Sequence, residues 1–524
     1  MFSAATKAGH VSGGAYQISR SLRFYSANSQ YLNRTPASAS SRTTWTWSGW
    51  VKRSAFGATQ NTVFSGGTTT TDTGWLGIYF INDNLYIGGW LTNFIGTTAV
   101  YRDPSAWYHV VIALDTTQAV ATNRLRLYIN GAEVTAFSTD NRSSSVTQNI
   151  SLGINQAASH TIASQSTGSA NYFNGYMTEI NFVDGQQLTP SSFGQTNSAT
   201  GVWSPIQYTG TYGTNGFYLN FNNITSTTTL GNDTSGNGNN WTTNNFSLTA
   251  GSGYSSMVDT PTPYGTDTGI GGQVRGNYPV FNPLLNASNY STPVLAGGNL
   301  SATLSYPTNS NTAATMGMSS GKYYWEYTWT YDGHGLIVGI DSNIYFTGGN
   351  QAAGGLSTGY GYYNASGNKY NNNTATAYGS AWFTTGNTYV IGVAFDATNG
   401  TIAFYVNGTG QGTAFTGIPS GTYYPSAAYG SGSGTTTVYV NFGQMAFAYT
   451  APSGYQALCT QNLPTPTIGA TATTLANSYF APVLYTGTGA TQSVAVGFQP
   501  DFTWFKVRNL SLIHISEPTR RTPI

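Results

Sequence analysis

Runs of apolar residues separated by turn signals predict β-strands along most of the chain. The segment 107–134 shows the pattern most clearly, because its first part, 108–114, is almost wholly apolar and β-branched, as in a strand covered on both faces. Residues 125–129 then alternate between apolar and polar, which predicts a strand with one buried face. Asn130-Gly131 follows directly and predicts a tight type I′ hairpin.

The same pattern returns far downstream, between residues 388 and 415. A buried run at 390–395 is followed by a turn at 396–400, an alternating run at 402–406 and a second Asn-Gly turn at 407–408. Two related modules, each a twisted antiparallel sandwich, are the simplest explanation. We therefore predict an all-β fold with two antiparallel β-sandwiches, a jelly roll and then a second sandwich, plus a truncated third β segment.

Composition supports a folded β protein and narrows the classes of function. Charged residues make up 7% of the 524 residues, whereas an average domain contains about 25% and disordered chains are richer still in charge. The net charge of +1 predicts no binding to nucleic acid. A single cysteine, Cys459, excludes an internal disulfide framework. We expect no signal peptide and no membrane span, since no apolar run approaches about 20 residues.

Changes in composition divide the chain into six segments. The predicted segments are a leader at 1–20, a first sandwich at 21–205, a Gly/Ser/Thr/Asn-rich connector at 206–276, a second sandwich at 277–460, a linker with the start of a third domain at 461–509, and an artefact at 510–524. The third domain is expected to contain strands at 481–485 and 501–507. Residues 510–520, LSLIHISEPTR, look like a translated sequencing adapter, so we expect that the natural protein was cut off there.

Two groups of motifs resemble known families. The series SLRF, WTWSGWVK, WYHVVIALD, LYINGAEV and NGYMTEINFVDGQQL resembles the concanavalin A-like (laminin-G-like) jelly-roll domains of tailed-phage and marine metagenomic tail proteins. Within the connector, GFYLNFNN and LGNDTSGNGNNWTTNNF are similar to the opening of another such domain. The motifs GKYYWEY, VIGVAFDATNGTIAFYVNG, YYPSAAYG and VNFGQ resemble the SPRY (B30.2-like) sandwich. The first resemblance implies rim loops that commonly bind glycans, and the second implies rim loops that bind peptides or proteins.

The titratable residues argue against catalysis. Outside the adapter segment the chain has only three glutamates, Glu133, Glu179 and Glu326, far apart in sequence. Jelly-roll glucanases place closely spaced acidic residues on one strand, with retaining pairs about 5 Å apart. No histidine pair has zinc-ligand spacing, and no nucleophile elbow or nucleotide-binding loop is present. Since distant carboxylates can converge in a fold, this pattern weakens an enzymatic function without excluding it.

Scarce charge combined with abundant aromatic, amide and hydroxyl groups favours the binding of neutral sugars. The candidate glycan-stacking residues are Trp75, Trp90, Trp203, Trp241 and Trp382. A second candidate is a loop of the SPRY-like segment that contains Tyr331, Asp332 and His334. Asp233, Ser235 and Asn237 alternate oxygen-bearing side chains through glycines, as a calcium loop does. With one carboxylate present, a Gly/Asn turn is the favoured alternative, and no other cofactor is expected.

Three functions remain open. We expect a virion-associated adhesin, similar to a tail fibre, that recognises cell-surface glycans and is made in the host cytoplasm. The first alternative is a structural decoration of the virion that binds other virion proteins, and the second is a glycan depolymerase. Neutral, Thr-rich sheet edges also suggest a homo-oligomer.

Overall fold

The computed structural model describes residues 16–168, 170–197, 201–285, 292–306, 310–343, 353–465, 478–506 and 513–515. These residues form two antiparallel β-sandwiches, which confirms the predicted all-β fold. Most of the predicted leader, 1–20, and most of the segment predicted to be an artefact, 510–524, lie outside the described residues. Among the described residues, no helix has the length and apolar character needed to cross a membrane.

The first sandwich consists of two eight-stranded sheets, with strands numbered in chain order. Sheet A contains β1 (Ser21–Phe24), β3 (Thr44–Arg53), β8 (Trp107–Asp115), β9 (Leu125–Ile129), β10 (Ala132–Glu133), β13 (Gly175–Asp184), β16 (Phe217–Leu219) and β18 (Ser256–Met257). Sheet B contains β2 (Tyr31–Arg34), β4 (Asn61–Gly67), β5 (Trp75–Ile81), β6 (Asn84–Gly88), β7 (Asn93–Val100), β11 (Phe137–Asp140), β12 (His160–Ile162) and β17 (Thr242–Asn244). Their neighbour orders are β10-β9-β8-β3-β13-β1-β18, with β16 also on β13, and β11-β7-β6-β5-β4-β12-β2-β17.

Short elements lie outside these two sheets. They are a hairpin of β14 (Gly194–Thr196) and β15 (Trp203–Pro205), the short helix α1 (Ala121–Arg124), and 3₁₀ turns at Ser26–Asn28, Pro190–Ser192 and Thr228–Gly231. Period-two alternation in β3 places Trp45 and Trp47 on the inner face, where both are fully buried.

The second sandwich pairs an eight-stranded sheet with a six-stranded one. Sheet C contains β19 (Val294–Ala296), β20 (Ser301–Ser305), β22 (Lys322–Thr330), β27 (Thr388–Asp396), β28 (Thr401–Val406), β29 (Thr409–Phe415), β31 (Thr435–Asn441) and β32 (Gln456–Ala457). Sheet D contains β21 (Asn311–Ala313), β23 (Leu336–Asp341), β24 (Gly359–Tyr363), β25 (Asn368–Asn371), β26 (Thr374–Ala377) and β30 (Tyr424–Tyr429). Their orders are β19-β20-β31-β22-β27-β28-β29, with β32 parallel to β22, and β21-β30-β23-β24-β25-β26.

In both sandwiches an asparagine closes the same kind of hairpin. Asn130 has a φ of 50° and Gly131 one of 82°, as the predicted type I′ turn requires. The backbone N–H of Asn130 donates to the carbonyl of His109, and its side-chain Oδ1 accepts from the N–H of His109, both at 2.8 Å. Asn407 makes the same two bonds with Val390, again at 2.8 Å. The side chain thus extends the pairing of β9 with β8, and of β28 with β27, by one bond just before the hairpin turn.

The segment predicted as a connector, 206–276, is part of the first sandwich. It supplies β16 to sheet A beside β13, β17 to sheet B beside β2, and β18 to sheet A beside β1. Phe217, Leu230 and Trp241 from this segment are at most 3% exposed and lie in the core of the first sandwich. The boundary predicted at residue 205 is therefore wrong. The Gly- and Asn-rich composition reflects tight turns between very short strands and not a flexible linker.

The predicted third domain is also corrected in part. Residues 481–485 form no strand, and the described part of 501–507 forms only β33 (Trp504–Lys506), which pairs with β34 (Ile513–Ile515). Apolar side chains at 480, 484 and 502 are more than 60% exposed. A strand needs a partner face to bury its apolar side chains, and the described residues offer none here.

The two sandwiches share a buried polar and apolar interface. The Nζ atom of Lys52 donates to Asp259 Oδ2 at 2.8 Å, to Asn277 Oδ1 at 2.7 Å and to the carbonyl of Tyr278 at 2.8 Å. The Lys52 side chain is 0% and the Asp259 side chain 2% exposed. One continuous hydrophobic cluster contains residues from both sandwiches, including Trp50, Trp107, Tyr176, Tyr278, Phe281 and Leu300.

We expect Trp241→Ala to lower the free energy of unfolding by about 3–5 kcal/mol, because it empties a core position. Urea unfolding followed by far-UV circular dichroism measures this change. Val202→Ala is the control, since Val202 is 43% exposed, and should cost no more than about 0.5 kcal/mol. Equally mild effects of both substitutions would mean that 206–276 is a detached linker after all.

Candidate functional site

An exposed tryptophan lies on a fixed turn at one end of the first sandwich. The turn between β6 and β7 exposes Trp90 to 36% and Leu91 to 78%. The Oδ1 atom of Asp72, from the neighbouring β4–β5 loop, accepts hydrogen bonds from the N–H groups of Leu91 at 2.6 Å and Thr92 at 3.0 Å. We call the surface formed by Asp72, Thr73, Trp90 and Leu91 the Trp90 rim.

The Trp90 rim is supported by aromatic side chains on the outer face of sheet B. Trp75 is 3% exposed and meets Trp90 edge to face, with ring centroids 5.8 Å apart. Beyond it, Tyr79 lies 6.5 Å from Trp75, and Tyr86 stacks on Tyr79 at 6.0 Å. Trp75 lies over Gly77, where a Cβ would approach the indole to 2.2 Å. Glycine at this position is therefore what lets the indole lie against the sheet.

Four of the five candidate tryptophans are not available for sugar stacking. Trp75, Trp241 and Trp382 are at most 3% exposed, so no ring face is free. Trp203 is half-buried and donates from Nε1 to Nδ1 of His109 at 3.0 Å. Its ring occupies the space above Gly131 and Gly194, where a Cβ would meet it at 2.4 and 2.5 Å. The prediction was wrong for these four because the sequence does not show that Trp241 and Trp382 lie in the hydrophobic cores, nor that Trp75 and Trp203 are covered by neighbouring groups.

The proposed calcium loop is a turn closed by its own hydrogen bonds. The Oδ1 atom of Asp233 accepts from the N–H groups of Tyr218 and Ser235, both at 2.8 Å. Its Oδ2 atom accepts from Ser235 Oγ at 2.9 Å and from the N–H of Asn239 at 2.8 Å. Asn237 donates its Nδ2 to the carbonyls of Gly213 and Gly216. A cation would have to displace four donors from the one carboxylate, so these residues fit a turn and do not fit calcium.

The predicted loop of the second sandwich lies beside an exposed aromatic side chain, on the loop before β27, that sequence reasoning missed. Phe383 is 50% exposed and lies edge to face with Tyr331, at 6.4 Å between ring centroids. His334 Nδ1 lies 2.9 Å from Asp332 Oδ1, and its Nε2 lies 2.8 Å from the carbonyl oxygen of Ser433. We call Tyr331, Asp332, His334 and Phe383 the Phe383 rim. The available signal was an aromatic residue directly before the polar run TTGN.

Two of the glutamates have structural partners. Glu326 accepts hydrogen bonds from the N–H groups of Ala448 at 2.7 Å and Tyr449 at 2.9 Å. Glu179 sits at a β-bulge in β13 with a φ of 53°. Its Oε2 accepts from the hydroxyls of Tyr16 at 2.8 Å and Tyr218 at 2.6 Å. Within the described ranges, no three His, Cys, Asp or Glu side chains group as a metal site would require.

Comparison with known families adds to this geometry. Residues 26–192 match the family model of the concanavalin A-like lectin/glucanases superfamily, and residues 322–445 match that of the SPRY domain. The chain therefore carries a concanavalin A-like domain followed by a SPRY domain, as the motifs indicated.

Solved structures provide similar chains at low identity. The SPRY domain of human HERC1 is 22% identical with a TM-score of 0.26, and the match covers 32% of this chain and 99% of that one. Stonustoxin is 19% identical with a TM-score of 0.25, and the match covers 31% of this chain and 27% of that one. Comparison with curated proteins gives no match.

Burial raises the pKa of Glu179 to about 7 from an ordinary value of 4.5, although two tyrosine hydroxyls donate to it. The folded state therefore binds a proton that the unfolded state has released, so stability should fall as the pH rises from 4.5 to 7. We expect Glu179→Gln to remove this loss, which is about 3 kcal/mol. Unfolding free energies at pH 4.5 and 8 measure it. Glu133→Gln, at an exposed position, should leave the pH profile unchanged, and a wild-type profile in Glu179→Gln would contradict the assignment.

The histidines should titrate differently. The hydrogen bond to the Ser433 carbonyl raises the pKa of His334, and the Asp332 carboxylate raises it further. Burial lowers the pKa of His109 to about 3 and that of His160 to about 4. NMR titration between pH 5 and 8 should show His334 protonating with a pKa above about 6.5 while the other two stay neutral. Asp332→Asn should lower the His334 pKa. An unchanged value in this variant would show that the ring and carboxylate do not pair in solution.

Proposed function

We propose that this protein is a non-catalytic binding protein whose first sandwich recognises neutral glycans at the Trp90 rim. The observation that carries the proposal is an exposed indole fixed by the Asp72 carboxylate on a turn at the end of the sandwich. Two large apolar side chains exposed side by side, such as Trp90 and Leu91, indicate a binding surface.

The chemistry of the Trp90 rim suits a sugar ring. An indole offers an apolar face to the C–H groups of a pyranose, and its fixed position lowers the entropy lost on binding. Asp72 uses only Oδ1 to hold the turn, and within the described residues its Oδ2 makes no hydrogen bond. That oxygen can accept hydrogen bonds from sugar hydroxyls next to the stacked ring. The guanidinium of Arg42 bonds to the carbonyl of Thr73 at 2.7 Å, which fixes the adjoining loop.

The positions of Glu179 and Glu326 support a non-catalytic function. Glycoside hydrolysis needs two carboxyl groups facing one substrate about 5 to 9.5 Å apart. Glu326 belongs to the second sandwich and binds backbone amides there, whereas Glu179 belongs to the first and is bonded to tyrosines. Neither glutamate is part of the Trp90 rim.

Protein binding at the Phe383 rim is the second candidate function. Phe383 is half-exposed and adjoins Tyr331, while the Asp332 side chain is 39% exposed. A partner segment that carries an apolar side chain next to a positively charged one would match the exposed ring and the exposed carboxylate. In this alternative the protein is a structural component of a virion. We also propose that the protein is located in a virion tail and that it forms a homo-oligomer. Mass spectrometry of purified particles would test the location.

Trp90→Ala in the full chain should weaken glycan binding at least about tenfold, which corresponds to about 1.4 kcal/mol. A glycan array identifies the ligand, and calorimetric titration with it gives the affinity. Trp504→Ala is the matched control, because Trp504 is 60% exposed but lies outside both sandwiches. We expect it to bind as wild type.

Three outcomes would contradict the proposal. Absence of binding to any sugar on the array would favour the protein-binding alternative, in which Phe383→Ala and not Trp90→Ala disrupts partner capture. Equal affinity of Trp90→Ala and wild type would place the glycan elsewhere. Sustained release of new reducing ends from polysaccharide would make the protein a depolymerase.

A further inference from the structure

A buried ion pair of the first sandwich is hydrogen-bonded to the start of the second. Lys52, from β3 of the first sandwich, donates to Asp259, which follows β18, and to the carbonyl of Tyr278 at the start of the second sandwich. The Oδ1 atom of Asp259 also accepts from Trp107 Nε1 at 3.1 Å. A buried charge is stable only while its partner and its hydrogen bonds are in place. Separating the sandwiches would therefore keep Lys52 beside Asp259 but remove the bonds that this buried pair makes to Asn277 and Tyr278.

Further bonds cross the interface beside this pair. The hydroxyl of Tyr176 donates to the carbonyl of Gly298 at 2.8 Å, and Arg23 Nη1 donates to that of Gly297 at 3.1 Å. In the opposite direction, Asn299 Nδ2 donates to the carbonyl of Ser54 at 2.9 Å. Bonds running in both directions, next to a shared apolar core, oppose sliding as well as separation.

The Trp90 rim lies at the end of the first sandwich away from this interface. Within β3, Lys52 is next to the last residue and Thr44 is the first, so about 25 Å of strand separates them. Arg42, two residues before Thr44, bonds to the carbonyl of Thr73 in the rim. The rim therefore adjoins the Thr44 end of the strand.

The Phe383 rim lies at the far end of the second sandwich. Ser301 of β20 pairs with Tyr439 near the interface, whereas Ser305 pairs with Thr435 at the other end. His334 approaches the carbonyl of Ser433, two residues before Thr435. The topology of both sandwiches thus places the two rims at opposite ends of the docked pair.

We propose that the two sandwiches act as one rigid bridge, which holds the Trp90 rim and the Phe383 rim at a fixed separation for two different surfaces. One end takes a glycan and the other takes a protein segment, and this part rests on the proposed function. The fixed geometry rests on the interface alone. Preset geometry lets the second contact form without a further entropic cost of ordering the two modules.

Distances between spin labels on the full chain test the rigidity without any ligand. Cysteines replace the exposed Ala27 of the first sandwich and the exposed Thr416 of the second, while the native Cys459 is fully buried and stays unlabelled. A control pair, Thr385→Cys with Thr416→Cys, lies within the second sandwich. We expect double electron–electron resonance to give one distance between the sandwiches, with a width within about 1.5-fold of the control. A broad or multiple distribution would overturn the proposal.

Substitutions at the ion pair identify the cause. At pH 8, Lys52→Met leaves Asp259 without its partner and should widen the distribution between the sandwiches at least twofold. Adding Asp259→Asn to Lys52→Met removes the unpaired charge and should restore the narrow width. Arg126→Met breaks an exposed pair with Glu133 and should have no effect. A wild-type width in Lys52→Met would show that this pair does not hold the modules together. Loss of glycan binding with a narrow distribution would refute the proposed function alone.

Discussion

The burial of Lys52 against Asp259 is the constraint on which the arrangement of the two sandwiches depends. A charged ammonium at 0% exposure needs several acceptors, and these come from Asp259, Asn277 and Tyr278. All three acceptors follow β18 in the chain. The same stretch must therefore complete sheet A through β18 and then turn into the second sandwich, so the two folds are built around a common segment.

A second buried charge in the first sandwich is also paired, because an unpaired buried charge is costly. Arg53 is paired with Asp83 at 3.1 Å in the first sandwich, and the arginine side chain is 1% exposed. With charged residues forming only 7% of the sequence, such internal pairs leave few charges for the two rims. Of the four residues of the Trp90 rim, Asp72 is accordingly the one charged group, beside Thr73, Trp90 and Leu91, which is a surface chemistry suited to uncharged ligands.

Local patterns in the sequence predicted the strands and both asparagine hairpins, because alternation and Asn-Gly turns depend on neighbouring residues. They did not reveal that Phe217 and Trp241 complete the first core, since Phe217 lies in the short β16 and Trp241 directly before the short β17, and both strands pair with distant partners. Composition alone made this region look like a linker.

The candidate site was predictable only in part for a related reason. Trp90 was among five tryptophans that the sequence could not rank, because exposure depends on loops that fold over a sheet face. Phe383 was missed because it follows the buried Trp382 on a loop, where no strand alternation indicates which of two adjacent aromatic side chains is exposed. His334 and its neighbours were placed on a loop by the Asp-Gly signal, but their contact with Ser433 joins residues 99 positions apart.

Differential scanning calorimetry of the full chain tests the central claim, that the two sandwiches form a single structural unit, most directly. We expect the described sandwiches to melt in one transition whose calorimetric and van't Hoff enthalpies agree. Two resolved transitions, each with the enthalpy of one sandwich, would show that the modules are independent and would contradict the account.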